Sequence, residues 1–449
     1  MNNNYVICNA KVVNEGSITL SHIYVRNGMI EGIYPASADA DTLPIPPQVP
    51  RIEAGGRYLM PGMIDAHVHF RQPGATHKAD MYSESRAALA GGVTSVMDMP
   101  NVNPPTITDA LLEERFEMGR QNMQCNYSFY LAATDQNFSQ VQKIDKSRVC
   151  GLKLFIGSST GNLLISNDEV LEQVLSIEGM PLAVHSEDES IIQSNSKAYR
   201  MRYGENVPIK CHSEIRSREA CVAATAKMIA KASKHCSHMH ILHVSTMQEL
   251  QLLQAAQCDN ISFEICPSYL YFCDEDYTAY GSRIKCNPAI KTAEDRQALI
   301  KAVASGVAST IGSDHAPHLW SEKQQAYFSC PSGMPMVQHT LLILLKMVKE
   351  GLLSIEQMVA LTAHHPADIY KIDRRGYIRK GYFADMVLVD MNAVTEVKKE
   401  NIYYKCMWSP LEGKIFPASV TTTFVNGVKV YDKGQFEANS VAMELKFNR

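Results

Sequence analysis

The stretch MIDAHVHF, residues 63–70, is an apolar strand pattern that carries histidines at its far end. Seven more short apolar segments follow it: GVTSVMDMP, CNYSFYLAA, VCGLKLFIG, MPLAVHSE, MHILHVST, NISFEICPS and VASTIGSDHAPH. Helical patterns lie between several of them, at residues 108–123, 217–234 and 293–304. Strands that alternate with helices indicate parallel βαβ units. Eight such strands are the number that closes a (β/α)8 barrel, although an open doubly wound sheet has the same local signature.

The two ends of the chain have a different pattern. YVICNAKVV and SHIYVRNGMIEGIYP alternate apolar and polar residues, and the pair Asn27-Gly28 predicts a hairpin. FADMVLVD and TTTFVNGVKVYDKGQF repeat this pattern near the C-terminus. We expect residues 1–57 and 375–449 to pair into one small sheet domain, and residues 58–374 to form the α/β body.

The composition excludes several classes of protein. Hydrophobic residues make up 45% and charged residues 20%, as in an ordinary globular chain. No apolar run approaches 18 residues and no secretory signal is visible, so neither a membrane span nor export is expected. A net charge of −4 argues against a nucleic-acid partner. The 12 scattered cysteines indicate reduced thiols in the cytoplasm rather than disulfides.

Polar residues collect where the predicted strands end, which in a barrel is where active sites are built. His67 and His69 are two apart on one strand and therefore share a face. A single strand-end histidine is more often a hydrogen-bonded core residue, but two on one face favour metal ligation. His185, His243 and Asp314 end three further segments, although Asp314 alone could be a helix cap. Four imidazoles and one carboxylate suit zinc, with manganese, cobalt or iron as alternatives.

Lys153 lies inside the apolar segment GLKLF, where an unpaired ammonium is costly. The ordinary interpretation is a snorkelling or salt-bridged lysine. The sharper hypothesis is a neutral amine that has captured carbon dioxide, because the resulting carbamate could bridge two metal ions. Such a pair of ions can hold a hydroxide at neutral pH. Asp314 would then be both a metal ligand and the catalytic proton shuttle.

Taken in order, the motifs DAHVHFRQPG, MPNVNPPT, GLKLF, VHSED, LHVST, NPAIK and SDHAPH resemble the cyclic amidohydrolase superfamily over nearly the whole chain. Within it the chain is most similar to the dihydroorotases, which interconvert N-carbamoyl-L-aspartate and L-dihydroorotate in pyrimidine biosynthesis. The resemblance implies a distorted TIM-like (β/α)8 barrel with a small β-sandwich domain built from both termini. It implies two divalent metal ions, zinc first, with His67, His69 and Asp314 on the more buried ion, His185 and His243 on the second, and carboxylated Lys153 bridging them.

The resemblance also implies substrate contacts at Arg71, Asn101, Asn287, His318, Ser332 and Gly333. The forked guanidinium of Arg71 can bind the α-carboxylate of the substrate, and Asn101 can donate to the same group. The ordinary interpretations are a surface ion pair for Arg71 and an Asx turn for Asn101. The backbone of the loop CPSGMP, which contains Ser332 and Gly333, corresponds to a stretch that contacts the pyrimidine ring.

Three further positions are predicted to have roles other than metal or substrate binding. His315 is assigned to a structural or supporting role, and Gly161 and Asn162 are expected to shape a loop. The segment EICPSYLYF resembles a hydantoinase more than the paired-histidine form common in dihydroorotases. This departure leaves open the contacts to the ring face near Ser268.

Two other functions remain as alternatives. A dihydropyrimidinase (hydantoinase) or allantoinase would have the same fold and metal centre, but Arg71 and Asn101 argue against a neutral ring as substrate. A non-catalytic relative of the dihydroorotases is disfavoured because all six ligand positions are filled. The expected partner is a small-molecule substrate, without nucleic acid or membrane, and a homo-oligomer is left open.

Overall fold

The computed structural model describes residues 4–38, 43–156 and 163–449. The predicted loop residues Gly161 and Asn162 lie outside this described part. Its strands are β1 Tyr5–Asn14, β2 Ser17–Arg26, β3 Met29–Pro35, β4 Arg51–Glu53, β5 Tyr58–Pro61, β6 Met63–Val68, β7 Val93–Asp98, β8 Asn126–Phe129, β9 Leu131–Ala132, β10 Leu152–Phe155, β11 Leu182–His185, β12 Met239–Ile241, β13 Ile261–Ile265, β14 Thr310–Ile311, β15 Met386–Asp390, β16 Thr395–Glu396, β17 Ile415–Phe416, β18 Ser419–Val425, β19 Val428–Asp432 and β20 Gln435–Phe436.

The α-helices are α1 Met81–Ala90, α2 Asp109–Asn122, α3 Phe138–Val141, α4 Asp168–Leu175, α5 Glu189–Tyr203, α6 His212–Ile215, α7 Arg218–Ala232, α8 Met247–Ala256, α9 Pro267–Tyr271, α10 Tyr277–Tyr280, α11 Ala293–Ala304, α12 Trp320–Lys323, α13 Thr340–Lys349, α14 Ile355–Val359 and α15 His365–Tyr370. Short 3-10 turns span Ile209–Cys211, Asp274–Asp276, Gly281–Ile284 and Lys399–Asn401, and one π-turn spans Ala360–His364.

Parallel strands form the wall of the barrel. β6, β7 and β8 pair in one sheet, and β9 to β14 pair in sequence order in another. The strands β8 and β9 occupy a single position in the wall, because Tyr130 between them still donates to Asp98 of β7 whereas Leu131 donates to Gly151, just before β10. The wall therefore has eight strand positions.

The barrel closes between its first and last strands. The N–H of His69, which follows β6, donates to the carbonyl of His315 at 2.8 Å. The N–H of Ser313, after β14, donates to the Asp65 carboxylate at 3.0 Å. This closure distinguishes the barrel from the open doubly wound sheet that the strand pattern alone allows.

The predicted segments agree with the observed elements. Each of the eight apolar segments contains a barrel strand, and the three predicted helices correspond to α2, α7 and α11. Thr108 shows why α2 begins where the sequence predicts, since its hydroxyl accepts from the N–H of Leu111 and satisfies a free donor of the first turn. Burial of the apolar strand residues then completes the wall: β6, β7, β10 and β11 are buried along their whole length.

Both ends of the chain build a second, mainly antiparallel sheet. The strands follow the order β20-β19-β18-β15-β5-β1-β2-β3, and β4 pairs with β1. Tyr5 of β1 stacks on Phe424 of β18 with ring centroids 5.5 Å apart. Three strand spacings, about 14 Å in a flat sheet, separate these strands along the path, so the sheet curls over itself. Its two halves enclose one apolar core, as in the predicted sandwich.

The chain crosses between the two bodies more than once. β5 belongs to the terminal sheet, where it pairs with β1 and β15. The C-terminal tail returns to the barrel, because Leu445 donates to the carbonyl of Tyr127 and Tyr127 donates to that of Met443. The division at residues 57 and 375 stays a prediction. Within the described residues no helix is long and apolar enough to cross a membrane, and none of the twelve cysteines, all of which are described, is in a disulfide.

Candidate active site

All twelve predicted site residues line one cavity of about 220 Å³. It lies at the carboxyl ends of the barrel strands, where a barrel places its active site. The twelve are His67, His69, Arg71, Asn101, Lys153, His185, His243, Asn287, Asp314, His318, Ser332 and Gly333. Larger cavities exist elsewhere, but their walls lack such a cluster of imidazoles.

His67, His69 and Asp314 converge at the bottom of the cavity. The Nε2 atom of each histidine lies 3.2 Å from Oδ1 of Asp314. One ligand atom from each of the three residues lies within 4.8 Å of the other two. This spacing brings an open triangle of nitrogen and oxygen donors together, as a divalent metal requires.

His185 and His243 form a second pair of donors beside the first. Nδ1 of His185 lies 2.8 Å from Nε2 of His243, and the His243 ring is centred 5.5 Å from that of His67. Both rings are buried, and burial lowers the pKa of each imidazole. A neutral imidazole is the form that binds a metal.

Lys153 projects from β10 into the same space. Its side chain is only 1% exposed, and its ammonium lies 4.9 Å from the centre of the Phe155 ring. Burial lowers the pKa of Lys153 to about 7, although the negative charges of Asp314 and Glu264 oppose the shift. Burial therefore favours a neutral amine at this position.

Three cavity residues other than glycine hold their backbones in the left-handed region. The φ angles are 64° at Arg71, 42° at His243 and 45° at Asp314. None of these residues is glycine, so each conformation costs on the order of 1–3 kcal/mol and is held by its surroundings. This backbone conformation directs the side chains of these three residues, each of which follows a strand end, into the cavity.

A buried carboxylate that the sequence analysis missed supports the histidines. Glu264 of β13 accepts from Nδ1 of His67 at 2.8 Å and from the backbone N–H of His243 at 3.2 Å. Burial raises the pKa of Glu264, but the His67 ring outweighs it and the net shift is downward. Gly312 leaves room for this carboxylate, since a Cβ there would collide with Oε2. The available signal was a glutamate in the middle of the apolar segment NISFEICPS.

The other imidazole of the first cluster also has an outer partner. Nδ1 of His69 donates to Oδ1 of Asn101 at 2.8 Å, which leaves Nε2 free to face the cavity. Asn101 therefore orients a ligand as well as lining the cavity. The acceptor end of its amide is occupied, so its NH2 group is the end available to a bound molecule.

The opposite side of the cavity carries the predicted substrate residues. Arg71 is partly buried, desolvation lowers its pKa, and its Nε donates to the carbonyl of Pro317 at 3.1 Å. Nη2 of Arg71 lies 3.1 Å from Nε2 of His318. The buried Oδ1 of Asn287 has no hydrogen-bond partner among the described residues. These groups leave unmet donors and an unmet acceptor, as expected of a site for a polar ligand.

Ser332 and Gly333 lie in a loop that hydrogen bonds to other parts of the protein fix in place. The Ser332 carbonyl accepts from Nε2 of His318 at 3.1 Å. The N–H of Gly333 donates to Lys285, and its carbonyl accepts from Nζ of Lys323, both at 2.8 Å. Gly333 has φ 135°, and a Cβ there would lie 2.5 Å from the Ala316 carbonyl. The N–H and the carbonyl of Gly333 both have hydrogen-bond partners within the protein, so Ser332 is the better candidate for the predicted contact with the ring.

Two residues of this region point away from the cavity. Nε2 of His315 donates to Glu84 at 2.8 Å, and its Nδ1 accepts from the N–H of Met336 at 3.0 Å. This agrees with the structural role predicted for it. Ser268 is buried in α9 and does not line the cavity.

The family model named "Amidohydrolase family" matches residues 58–430. This chain belongs to the amidohydrolase family. It is therefore a metal-dependent hydrolase of cyclic amides, and its donor set fits a divalent-metal centre, because imidazole nitrogens and carboxylate oxygens converge on the floor of the cavity and two of the rings have outer partners.

Curated relatives of this amidohydrolase are named dihydroorotase. The protein from Halobacterium salinarum is 32% identical over 386 residues, which cover 85% of this chain and 88% of the relative. The one from Endomicrobium trichonymphae is 30% identical over 420 residues, covering 91% and 94%. The one from Methanosphaera stadtmanae is 29% identical over 429 residues, covering 94% and 95%.

Solved structures confirm the fold of this amidohydrolase. L-hydantoinase (dihydropyrimidinase) from Arthrobacter aurescens superposes with a TM-score of 0.93 at 24% identity, covering 99% of this chain and 100% of the other. Dihydropyrimidinase from Brevibacillus agri NCHU1002 gives a TM-score of 0.89 at 24% identity, with the same coverage. At this identity the likeness speaks for the barrel and the terminal sheet domain alone.

Proposed function

We propose that this amidohydrolase is a dihydroorotase, which cyclises N-carbamoyl-L-aspartate to L-dihydroorotate reversibly in pyrimidine biosynthesis. The observation that carries the proposal is the partly buried guanidinium of Arg71 in the same cavity as the imidazole cluster. Among the described residues this partly buried cation has no carboxylate in an ion pair with it, which favours an anionic ligand. The dihydroorotases among the curated relatives support the same substrate.

The metal-binding roles follow the two groups of donors. His67, His69 and Asp314 would hold the more buried ion, and His185 with His243 would hold the second. Lys153, carboxylated by carbon dioxide, would bridge them, which its burial and lowered pKa support. When bound, a pair of divalent ions supplies a hydroxide nucleophile at neutral pH and polarises the ring amide carbonyl; zinc is the ion we propose.

Asp314 would be the catalytic proton carrier. Its Oδ1 faces both His67 and His69, and the positive φ aims it into the cavity. The charge-stabilising imidazoles outweigh burial and hold the pKa of Asp314 below its usual value, so the carboxylate is ready to accept a proton. In hydrolysis it would accept the proton of the attacking hydroxide and pass it to the departing ring nitrogen, and in ring closure it would move a proton from the carbamoyl nitrogen to the oxygen that leaves.

The substrate carboxylate would bind at the other side of the cavity. Arg71 would bind it with its forked guanidinium, and the free amide NH2 of Asn101 would donate to it. Asn287, His318 and the Ser332 loop would contact the rest of the ring. A neutral ring would leave the Arg71 cation without its partner, which argues against a dihydropyrimidinase, hydantoinase or allantoinase.

A substrate panel tests the proposal directly. The metal-loaded enzyme is offered dihydroorotate, dihydrouracil, hydantoin and allantoin, and turnover is followed for each. We expect dihydroorotate to be hydrolysed with the highest kcat/KM by at least tenfold. Turnover of dihydrouracil without turnover of dihydroorotate would contradict the proposal and favour a dihydropyrimidinase. No turnover of any ring by a protein that carries two ions per chain would favour a non-catalytic relative.

The bridging role of Lys153 has its own test. Lys153→Ala should lose both metal and activity, and short carboxylic acids should restore part of both because they replace the carbamate oxygens. Metal content per chain and turnover are measured on the same samples. Lys227→Met, at an exposed ion pair with Asp168, is the matched control and should keep both. A Lys153→Ala protein that still binds two ions per chain would show that this residue is not the bridge.

The cellular compartment of the enzyme is proposed from the state of its cysteines. None of the twelve cysteines is in a disulfide in the described structure, which supports a reducing compartment, and we place the enzyme in the cytoplasm.

A further inference from the structure

A lysine outside the predicted site contacts the substrate side of the cavity. Lys78 lies between β6 and α1, and its Nζ is 3.2 Å from Nδ1 of His318. The same Nζ is 2.9 Å from Oε1 of Glu322, whose other oxygen accepts from the N–H of Leu319. Lys78 is therefore tied to α12 on one side and to a cavity histidine on the other. It does not line the cavity itself.

The chemistry of these groups determines where the proton sits on His318. An ammonium has only protons to offer, so Nδ1 of His318 must present its lone pair to Lys78. The single proton of the neutral ring then lies on Nε2, where the carbonyl of Ser332 accepts it at 3.1 Å. The ring is neutral because burial, with the nearby cations Arg71, Lys323 and Lys78, lowers the pKa of His318 far below its usual value.

In this tautomer His318 offers Arg71 no hydrogen-bond acceptor. Its Nη2 lies 3.1 Å from Nε2 of His318, so one N–H faces another. The Nε of Arg71 already donates to Pro317, and among the described residues Nη2 has no oxygen acceptor. The Nε2 proton of His318 has the Ser332 carbonyl as an acceptor, whereas Nη2 of Arg71 has none until an oxygen enters the cavity, accepts from Nη2 and shares the Nε2 proton. A carboxylate oxygen in the cavity is such an acceptor.

We propose that Lys78 is a positioning residue that holds the proton of His318 on Nε2, so that Arg71 and His318 present two N–H donors to the carboxylate of the substrate. The proposal rests on the proposed dihydroorotase function for the identity of that carboxylate. Lys78 determines specificity through His318. In the other tautomer the lone pair of Nε2 would accept the hydrogen bond of Arg71, and Arg71 would then have a partner without the substrate. Glu322 keeps Lys78 in place.

Kinetics of Lys78 variants test this role. Lys78→Met keeps the apolar stem and loses the donor, so KM for dihydroorotate should rise about tenfold, as for one lost charged hydrogen bond, while kcat changes less than threefold. Lys78→Arg should restore most of the affinity because it also offers only donors. Lys405→Met is the matched control, since Lys405 pairs with Asp80 in the neighbouring segment at 2.6 Å and does not line the cavity. An unchanged KM in Lys78→Met, or an equal rise in Lys405→Met, would overturn the proposal.

A spectroscopic measurement separates this proposal from the proposed function. Long-range proton–nitrogen correlation of ¹⁵N-histidine-labelled enzyme, with His318→Asn to assign the signals, reports the tautomer of His318. We expect an unprotonated Nδ1 and a protonated Nε2 in the wild type, and a mixture of tautomers in Lys78→Met. A protonated Nδ1 in the wild type would disprove the role of Lys78. Failure to hydrolyse dihydroorotate, with the expected tautomer present, would instead disprove the proposed function.

Discussion

The two sides of the cavity are built from different parts of the fold. On the metal-binding side, every proposed ligand lies on a barrel strand or within three residues of its end. Glu264 orients His67, and Asn101 orients His69. On the substrate side, Arg71 and Asn101 also follow strand ends, but Asn287, His318, Ser332 and Gly333 lie in loops. Lysines hold two of these loop residues, since Lys78 contacts His318 and Lys323 contacts Gly333. Strand ends fix the geometry that the family shares, whereas loops can change without disturbing the barrel. The substrate therefore depends on the loop side.

The largest expected effect is at Asp314 on the metal-binding side. Asp314→Asn keeps an oxygen toward the ligand cluster but removes the proton acceptor, so kcat should fall by about 10²–10⁴-fold. KM for dihydroorotate should stay within threefold, because Arg71 and His318 are unchanged. Steady-state kinetics with metal analysis measure both.

A matched control for Asp314 is Asp168→Asn, at a position 64% exposed that pairs with Lys227. It should have wild-type kinetics. A rise in KM for Asp314→Asn as large as the fall in kcat would show that the two sides of the cavity are not separable.

A second, intermediate effect is expected at Glu264. Glu264→Gln weakens the acceptor for Nδ1 of His67, so metal affinity should fall by about 10–100-fold, the usual cost of losing an outer partner of a ligand. Competition with a chelator of known affinity measures the change, and full activity should return at saturating metal.

Glu249→Gln gives the corresponding control for Glu264. Glu249 is also buried, but it caps α8 through Thr246 and lies outside the cavity. It should lower stability without changing metal affinity. Equal metal loss in both variants would mean that Glu264 acts through general stability alone.

The smallest effect on turnover is expected at Lys323, beneath the substrate loop. Its fully buried Nζ donates to the carbonyls of Lys285, Pro331 and Gly333 at 2.8–3.0 Å. Lys323→Met leaves these carbonyls unpaired, so the free energy of unfolding should fall by about 1–3 kcal/mol. KM should rise a few-fold, with kcat and metal content unchanged.

Chemical denaturation and kinetics check the Lys323 prediction, with Lys227→Met as the exposed control, whose stability should change by less than about 0.5 kcal/mol. Metal loss in Lys323→Met would contradict the separation of the two sides of the cavity.

Much of the site was predictable because its signals are local. A histidine or aspartate at the end of an apolar strand is visible in a window of a few residues, and the barrel brings such ends together. The six predicted ligand positions consequently line one cavity, and the six substrate contacts that the family resemblance implied line the same cavity. Glu264 was missed because its role as a hydrogen-bond acceptor depends on His67, which is 197 positions away in the chain. Lys78 was missed for the same reason, since its partner His318 is 240 positions away.

By itself the sequence determined the alternation of strands and helices, the ligand types and their places at strand ends, since hydrophobic periodicity and residue chemistry are properties of short segments. Only the tertiary structure decided that the sheet closes, through His69 and Ser313, and that the terminal sheet curls. It also decided which partner each ring of the cavity faces. That depends on contacts between distant segments, which form only when the chain is packed.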